Sequence, residues 1–186
     1  MLNKMEAALD LVLQYDSRAM HVLRTQSDGI FVFGTAGVYA EWHRNEKLVV
    51  LQPEYVSALA TSAAGLASTL VHEATHAWLE KLGFWYSEDR RQRIEAICFK
   101  RELRFVRRAG GEKELISELE RQLTCDPAYF FPEAFKERTL TEIERLGVSR
   151  RVVSIIEKCV NQWRRLTRHL KPMTKTLALG LVFITA

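Results

Sequence analysis

The sequence is poor in the residues that mark several classes of protein. Of its 186 residues, three are cysteine, four are proline and nine are glycine. The cysteines are odd in number, lie far apart and form no C-x-x-C pair, which argues against a disulfide framework and against a cysteine zinc site. The low glycine and proline contents exclude collagen-like and low-complexity chains. A reducing compartment, the cytoplasm, is therefore expected.

Long apolar runs are also missing. Residues 1–17 interleave Lys4, Glu6 and Asp10 with apolar positions, so no signal peptide is predicted. The apolar segment 176–186 covers about half of the ~20 residues that a membrane-spanning helix needs, and no membrane association is predicted. Hydrophobic residues still make up 47% of the chain and charged residues 27%. This balance predicts one soluble globular domain over residues 1–186.

The spacing of apolar residues predicts an α+β fold that is mostly helical in its C-terminal half. Helical spacing indicates one or two amphipathic helices over residues 3–25. Three short β-like runs follow, and their close spacing predicts a small antiparallel three-stranded meander: 30–33, 38–43 and 48–51. After them the chain is rich in helix formers. Four helical segments are predicted there: from Pro53 to Gly83, from an N-cap at Ser87 to about Arg108, 112–123, and from Ser149 to Pro172.

The most informative segment contains the pattern H-E-x-x-H, at His72-Glu73-Ala-Thr-His76. On an α-helix His76 lies one turn from His72 and about 40° around the axis, so both imidazoles can bind one metal ion. Neutral imidazole is a good ligand for zinc. Glu73 lies beside them, where its carboxylate can take a proton from a metal-activated water. The alternative is that both histidines are ordinary helix residues with hydrogen-bonding neighbours.

A catalytic zinc ion usually has three protein ligands, so a third must come from elsewhere in the chain. The metzincin pattern H-E-x-x-H-x-x-G-x-x-H is excluded, because Leu79 and Leu82 occupy its glycine and third histidine positions. Glu95 is the best candidate, since it lies midway along the next predicted helix and an antiparallel helix pair would bring it level with the histidines. Three neighbours of Glu95 remain alternative ligands: Glu88, Cys98 and Glu102.

With this motif and Glu95 in place, the sequence resembles the gluzincins, metallopeptidases in which H-E-x-x-H precedes a glutamate ligand on a later helix. The 18 residues between His76 and Glu95 match the spacing of aminopeptidase-type members. The similarity covers about residues 30–108 and is greatest with the single-domain minigluzincins. It implies a zincin-like fold and a zinc-dependent hydrolase acting on peptides or proteins. The implied zinc ligands are His72, His76 and Glu95, with Glu73 as general base and then general acid.

Two parts of such a site are not identified by the sequence. Gluzincins usually stabilise the oxyanion with a tyrosine or histidine; Tyr86, Tyr129 and His169 are candidates, but each is expected to be a core or surface residue. The residue after Glu95 is Ala96, where some members have an acidic residue that orients a histidine. The groups that would support the histidines are therefore unassigned.

The resemblance also implies where a substrate would bind. In zincins an edge strand above the active-site helix binds the substrate backbone by strand addition. The runs 38–43 or 48–51 are therefore expected to line a peptide groove. Glu41 and His43 are expected to be solvent-facing strand residues rather than catalytic ones.

Cationic residues are concentrated on the predicted helix that carries Glu95. Arg101, Arg104 and Arg108 recur at helical spacing and could contact phosphates, although no nucleic-acid motif or stacking aromatic residues accompany them. A solvated surface explains them most simply, and a net charge of +4 does not require an anionic partner. An alternative function stays open: a catalytically weak or inactive zincin-fold interaction module that binds nucleic acid through its basic helices. The sequence does not indicate an oligomeric state.

Overall fold

The computed structural model describes residues 2–33, 38–87 and 89–124, together with 140, 149, 151–152 and 155. Within these residues the protein is mixed α+β and mostly helical. Its elements are α1 (Leu2–Tyr15), α2 (Ser17–Gln26), β1 (Gly29–Val32), β2 (Ala40–His43), β3 (Leu48–Leu51), α3 (Pro53–Ser57), α4 (Ala63–Lys81), α5 (Arg91–Arg108) and α6 (Lys113–Thr124). All of them lie in one compact unit that includes Met1–Pro127. The predicted helix after Ser149 lies mostly outside the described residues, and the single domain over 1–186 stays a prediction.

The first apolar segment forms two helices because Asp16 interrupts it. The Asp16 carboxylate accepts a hydrogen bond from the backbone N–H of Ala19 at 3.0 Å and thereby caps α2. It also accepts two hydrogen bonds from the guanidinium group of Arg101 on α5, each 3.3 Å long. Burial would raise the pKa of Asp16, but the hydrogen bonds from Arg101 and Ala19 and the charges of Arg101 and Arg108 lower it. Asp16 therefore ties the junction of α1 and α2 to α5.

Replacing Asp16 with alanine should lower the free energy of unfolding by about 1–2 kcal/mol, because α2 loses its N-cap and Arg101 loses its partner. The folded-state pKa lies below the ordinary value of 3.8. The stabilisation is therefore fully present above that value, and it is lost as the pH falls through the folded-state pKa. Urea unfolding measures the free energy of unfolding of the unchanged protein and of the Asp16→Ala variant. The difference between the two should be smaller at about pH 3 than at about pH 7. An Asp10→Ala variant, altered at an exposed position of α1, is the control, and equal stability of the two variants would contradict this role.

The sheet is mixed, and the prediction of an antiparallel meander is wrong. The strand order is β1-β3-β2, and β3 pairs in parallel with β1 and antiparallel with β2. The central strand β3 reads Leu-Val-Val-Leu and is buried from Val49 to Leu51, as suits a strand covered on both faces. The edge strand β2 carries the exposed Glu41. The prediction failed because it assumed that strands consecutive in sequence are neighbours in the sheet.

The central helix of the fold is α4. It packs against α1, α2, α5 and β2, and 12 of its 19 residues are buried. The Ser62 hydroxyl caps its first turn by accepting the N–H of Gly65 at 3.1 Å. Beyond its last turn, Gly83 has a φ of +83°, in the left-handed region that glycine adopts with least strain. The chain then returns along α4 as α5.

The start of α5 differs from the prediction. Ser87 is not its N-cap, because Arg90 occupies the N-cap position and its N–H donates to the carbonyl of Ser87 at 3.0 Å. The helix begins at Arg91 and ends at Arg108, as the position of Gly110 predicted. Within the described part of the chain, no helix combines the length and the apolar character needed to cross a bilayer.

Candidate metal centre

The packing of α5 against α4 brings the predicted ligands together. The Nε2 atom of His72 lies 3.3 Å from Oε2 of Glu95, and the Nε2 atom of His76 lies 3.7 Å from Oε1 of the same carboxylate. The centroids of the two imidazole rings are 5.0 Å apart. Both rings therefore present the same nitrogen to one carboxylate on the neighbouring helix.

These separations fit three ligands of one tetrahedral ion. Bonds of about 2.0–2.1 Å at tetrahedral angles place ligand atoms about 3.3–3.4 Å apart. The 3.3 Å between His72 and Glu95 matches this value, and the 3.7 Å between His76 and Glu95 is slightly longer. Two separations, each measured to a different oxygen of the Glu95 carboxylate, are therefore close to those between ligands of a small divalent cation.

Cys98 is a second candidate for the third ligand. His72, His76 and Cys98 form a group that could hold a metal ion, in which the three ligand atoms lie within 4.8 Å of one another. Cys98 is completely buried, and burial together with the nearby carboxylates raises the pKa of its thiol well above the ordinary value. The Glu95 carboxylate lies within 3.7 Å of both imidazoles and is the closer match to ligand spacing. Glu88, another alternative, lies outside the described residues.

Glu102 supports His72 rather than joining the predicted ligands. Its Oε2 lies 2.9 Å from Nδ1 of His72, and its Oε1 accepts a hydrogen bond of 2.9 Å from the hydroxyl of Ser68. The Nδ1 proton donated to Glu102 keeps Nε2 directed at Glu95, and the proton that Nε2 donates to Glu95 without a metal would be released when a metal ion binds. Sequence reasoning considered Glu102 only as an alternative ligand. The signal that could have found this role is its spacing of seven residues from Glu95, two helical turns along the same face.

A Glu102→Gln variant should bind zinc about 10–100-fold more weakly, because a neutral amide holds the His72 ring less well and lowers its basicity. Competition with a chromophoric chelator measures the affinity. Glu114→Gln, which alters an exposed glutamate of α6, is the matched control and should bind zinc as the unchanged protein does. Equal affinities of the two variants would show that Glu102 has no part in the site.

The site is short of positive charge. Glu73, Glu95 and Glu102 surround two imidazoles, and burial raises the pKa of Glu73 to about 7 while it lowers the pKa of His76 to about 4. Burial would also raise the pKa of Glu95, but its hydrogen bond with His72 and the charges of the two histidines lower it to about 2. Burial would lower the pKa of His72, yet its hydrogen bonds with Glu102 and Glu95 keep it well above the ordinary value. A divalent cation would compensate this excess of carboxylates.

Glu73 faces the edge of the sheet. It is 6% exposed, and its carboxylate accepts a hydrogen bond from the backbone N–H of Trp42 in β2. The indole of Trp42 donates in turn to Glu80 of α4 at 2.9 Å. Of the two runs expected to line a cleft, β2 is therefore the edge strand fixed above α4, and β3 lies in the middle of the sheet.

Tyr86 contacts the candidate ligands from the loop between α4 and α5. Its hydroxyl donates to Oε1 of Glu95 at 2.7 Å, and its ring packs edge-on against His76 with centroids 5.5 Å apart. Burial and the charge of Glu95 raise the pKa of Tyr86 above its ordinary value, so the phenol keeps its proton. The other residues considered for the oxyanion, Tyr129 and His169, lie outside the described residues.

Comparison of the chain with protein-family models, with curated proteins and with solved structures gave no match. The resemblance to gluzincins therefore rests on the H-E-x-x-H motif and Glu95, and it stays a prediction. Function has to be argued from the chemistry of the site itself.

Proposed function

We propose that this protein is a zinc-dependent metallopeptidase with a zincin-like fold, in which His72, His76 and Glu95 hold the zinc ion. One observation carries the proposal. Both Nε2 atoms face a single carboxylate at ligand-like distances, while the other nitrogen of His72 is held by the buried Glu102. A histidine that merely fills a helical core needs one hydrogen-bonding partner. Two histidines and two carboxylates arranged in this way form a metal-binding set with its supporting residue.

Zinc is the metal that these ligands suit best. Two imidazoles and one carboxylate form a common ligand set of catalytic zinc, and they leave one coordination position for water or substrate. Hard cations such as magnesium and calcium prefer sites built from oxygen ligands. A His2Glu set therefore indicates a catalytic rather than a closed structural site.

Glu73 is the residue that moves the proton. Zinc bound at this site would polarise the scissile carbonyl and lower the pKa of the attacking water. Glu73 takes the proton of that water as the oxygen bonds to the carbonyl carbon, and it delivers the proton to the nitrogen as the C–N bond breaks. Its burial beside His72 keeps it close to the ligands without making it one of them. No covalent bond between enzyme and substrate is needed.

The surroundings of the site favour an extended peptide as substrate. The edge strand β2 can add a substrate strand, because only β3 pairs with it within the described sheet. Phe84 and Trp85, which precede Tyr86, are 53% and 46% exposed and offer apolar surface near the ligands. Tyr86 keeps its proton, and we assign it to the oxyanion, to which its hydroxyl would turn from Glu95.

Metal analysis combined with a peptide library tests this function. The purified protein should contain about one zinc ion per chain and should cleave members of a mixed library. EDTA should abolish cleavage, and added zinc should restore it. Zinc binding without cleavage would reject the peptidase and favour the inactive interaction module. Absence of zinc would reject the peptidase and a zinc-binding module, and it would leave only a metal-free interaction module.

A further inference from the structure

A pocket lies away from the metal centre, between the junction of α1 and α2 and the outer face of α5. Its volume is about 1000 Å³, which is at the upper end of the usual range for ligand sites. None of the residues that line it belongs to the candidate metal centre. The proposed peptidase chemistry leaves this pocket without a role.

The pocket is strongly cationic. The only carboxylate among the residues that line it is that of Asp16. Five basic side chains line it as well: Arg18, Lys100, Arg101, Arg104 and Arg108. Two of the five contact Asp16, with Arg101 at 3.3 Å and Arg108 at 3.8 Å. The other three are exposed and have no ionic partner within the part of the chain that the structure describes. These three are available to an anion.

The helix α5 and the Asp16 carboxylate fix the positions of the basic side chains in the pocket. Lys100, Arg104 and Arg108 follow one another at intervals of four residues, so they form a row along one face of α5. Asp16 holds Arg101 beside that row. Trp78 of α4 forms part of the wall and is 37% exposed, and the guanidinium group of Arg101 lies over its ring, with 5.7 Å between the guanidinium carbon and the ring centroid. A row of cations therefore runs beside a flat aromatic surface.

We propose that this pocket binds the phosphate groups of a nucleotide, either free or within a single strand, with the base against Trp78. Guanidinium groups bind phosphate and carboxylate oxygens alike through paired hydrogen bonds, so the aromatic wall formed by Trp78 is what favours a nucleotide over an acidic peptide. An indole supplies the stacking surface that bases use in single-stranded recognition. The site is independent of zinc and of peptide hydrolysis.

Titration calorimetry of the full chain tests the proposal with three probes: magnesium-free ATP, inorganic tripolyphosphate and an oligothymidylate of about ten nucleotides. At least one nucleotide probe should bind saturably, and binding should be weaker at about 200 mM salt than at about 50 mM. Lys100→Glu with Arg104→Glu should weaken binding at least about 10-fold. Lys47→Glu with Lys113→Glu changes the net charge equally at exposed positions outside the pocket, and it should weaken binding no more than about 3-fold. Trp78→Leu should weaken nucleotide binding and leave tripolyphosphate binding unchanged.

The outcomes separate the possible ligands. Binding of ATP alone identifies a free nucleotide, and binding of the oligonucleotide alone identifies a single strand; either supports the proposal. Saturable binding of a polyglutamate peptide in place of the nucleotides would overturn it in favour of an acidic protein partner. Absence of binding by both nucleotide probes would overturn it, as would equal losses in the two charge-reversal variants. Circular dichroism of each variant establishes that it is folded.

Discussion

A Glu73→Gln variant should bind zinc with undiminished affinity and hydrolyse peptides about 10²–10⁴-fold more slowly than the unchanged enzyme. The amide has the size of the carboxylate, and its oxygen can still accept the hydrogen bond from the N–H of Trp42. It cannot take a proton from water, so the loss should fall on turnover. Elemental analysis and initial-rate measurements on the same sample separate the two effects.

The control for this variant is Glu46→Gln, in the turn between β2 and β3, where the side chain is exposed. It should retain full activity, so that a low rate in the Glu73 variant cannot be attributed to the loss of one negative charge. Full turnover by a zinc-loaded Glu73→Gln protein would refute the assigned base. Loss of zinc along with turnover would instead show that Glu73 is a ligand.

Replacing Glu95 with alanine should weaken zinc binding about 100-fold or more, beyond the 10–100-fold typical of residues outside the ligand shell. Cys98→Ala, one turn further along α5, should change the affinity by less than about 3-fold. The two side chains point toward the same histidines from one helix, so the pair isolates the identity of the third ligand. Chelator competition gives both affinities.

Thermal unfolding of each variant in EDTA distinguishes a lost ligand from a damaged fold. Cys98 is completely buried, and its removal leaves a small cavity that should lower the midpoint modestly. Removal of Glu95 breaks its contacts with His72 and Tyr86, so a modest drop in the midpoint is expected there as well. If Cys98→Ala lost zinc and Glu95→Ala retained it, the site would be a His2Cys centre and the gluzincin comparison would fail.

Much of the helical part of the fold could be predicted from local signals. Pro53 at the start of α3 and Gly83 after α4 act through their own backbone preferences, which do not depend on distant residues. The order of the strands could not be predicted in this way. The alternation of residues and the turn residues are compatible both with a meander and with the observed order β1-β3-β2. The burial of Val49–Leu51 between two neighbouring strands is what distinguishes β3 as the central strand.

The proximity of the three candidate ligands could be predicted for a similar reason. His72 and His76 are one turn apart on one helix, and Glu95 follows at a distance set by a helical hairpin. The seven-residue spacing from Glu95 places Glu102 on the same face of α5, but its contact with His72 depends on how α5 is rotated against α4, which the spacing does not give. The pairing of Arg101 with Asp16, 85 residues apart in sequence, also depends on how the helices pack. Sequence reasoning therefore saw Arg101 as part of a solvated or phosphate-binding face and missed its structural partner.

The position of α4 has a consequence for how the molecule opens. Because α4 packs against α1, α2, α5 and β2, we expect its amide hydrogens to exchange with deuterated solvent only when the whole unit unfolds. The outer edge of β2 has no strand to protect it within the described sheet, so its amides should exchange earlier, apart from the N–H of Trp42, which donates to Glu73. Among the described residues, the imidazoles thus lie on the segment that we expect to open most slowly, and the strand proposed to receive substrate lies on one that opens more readily.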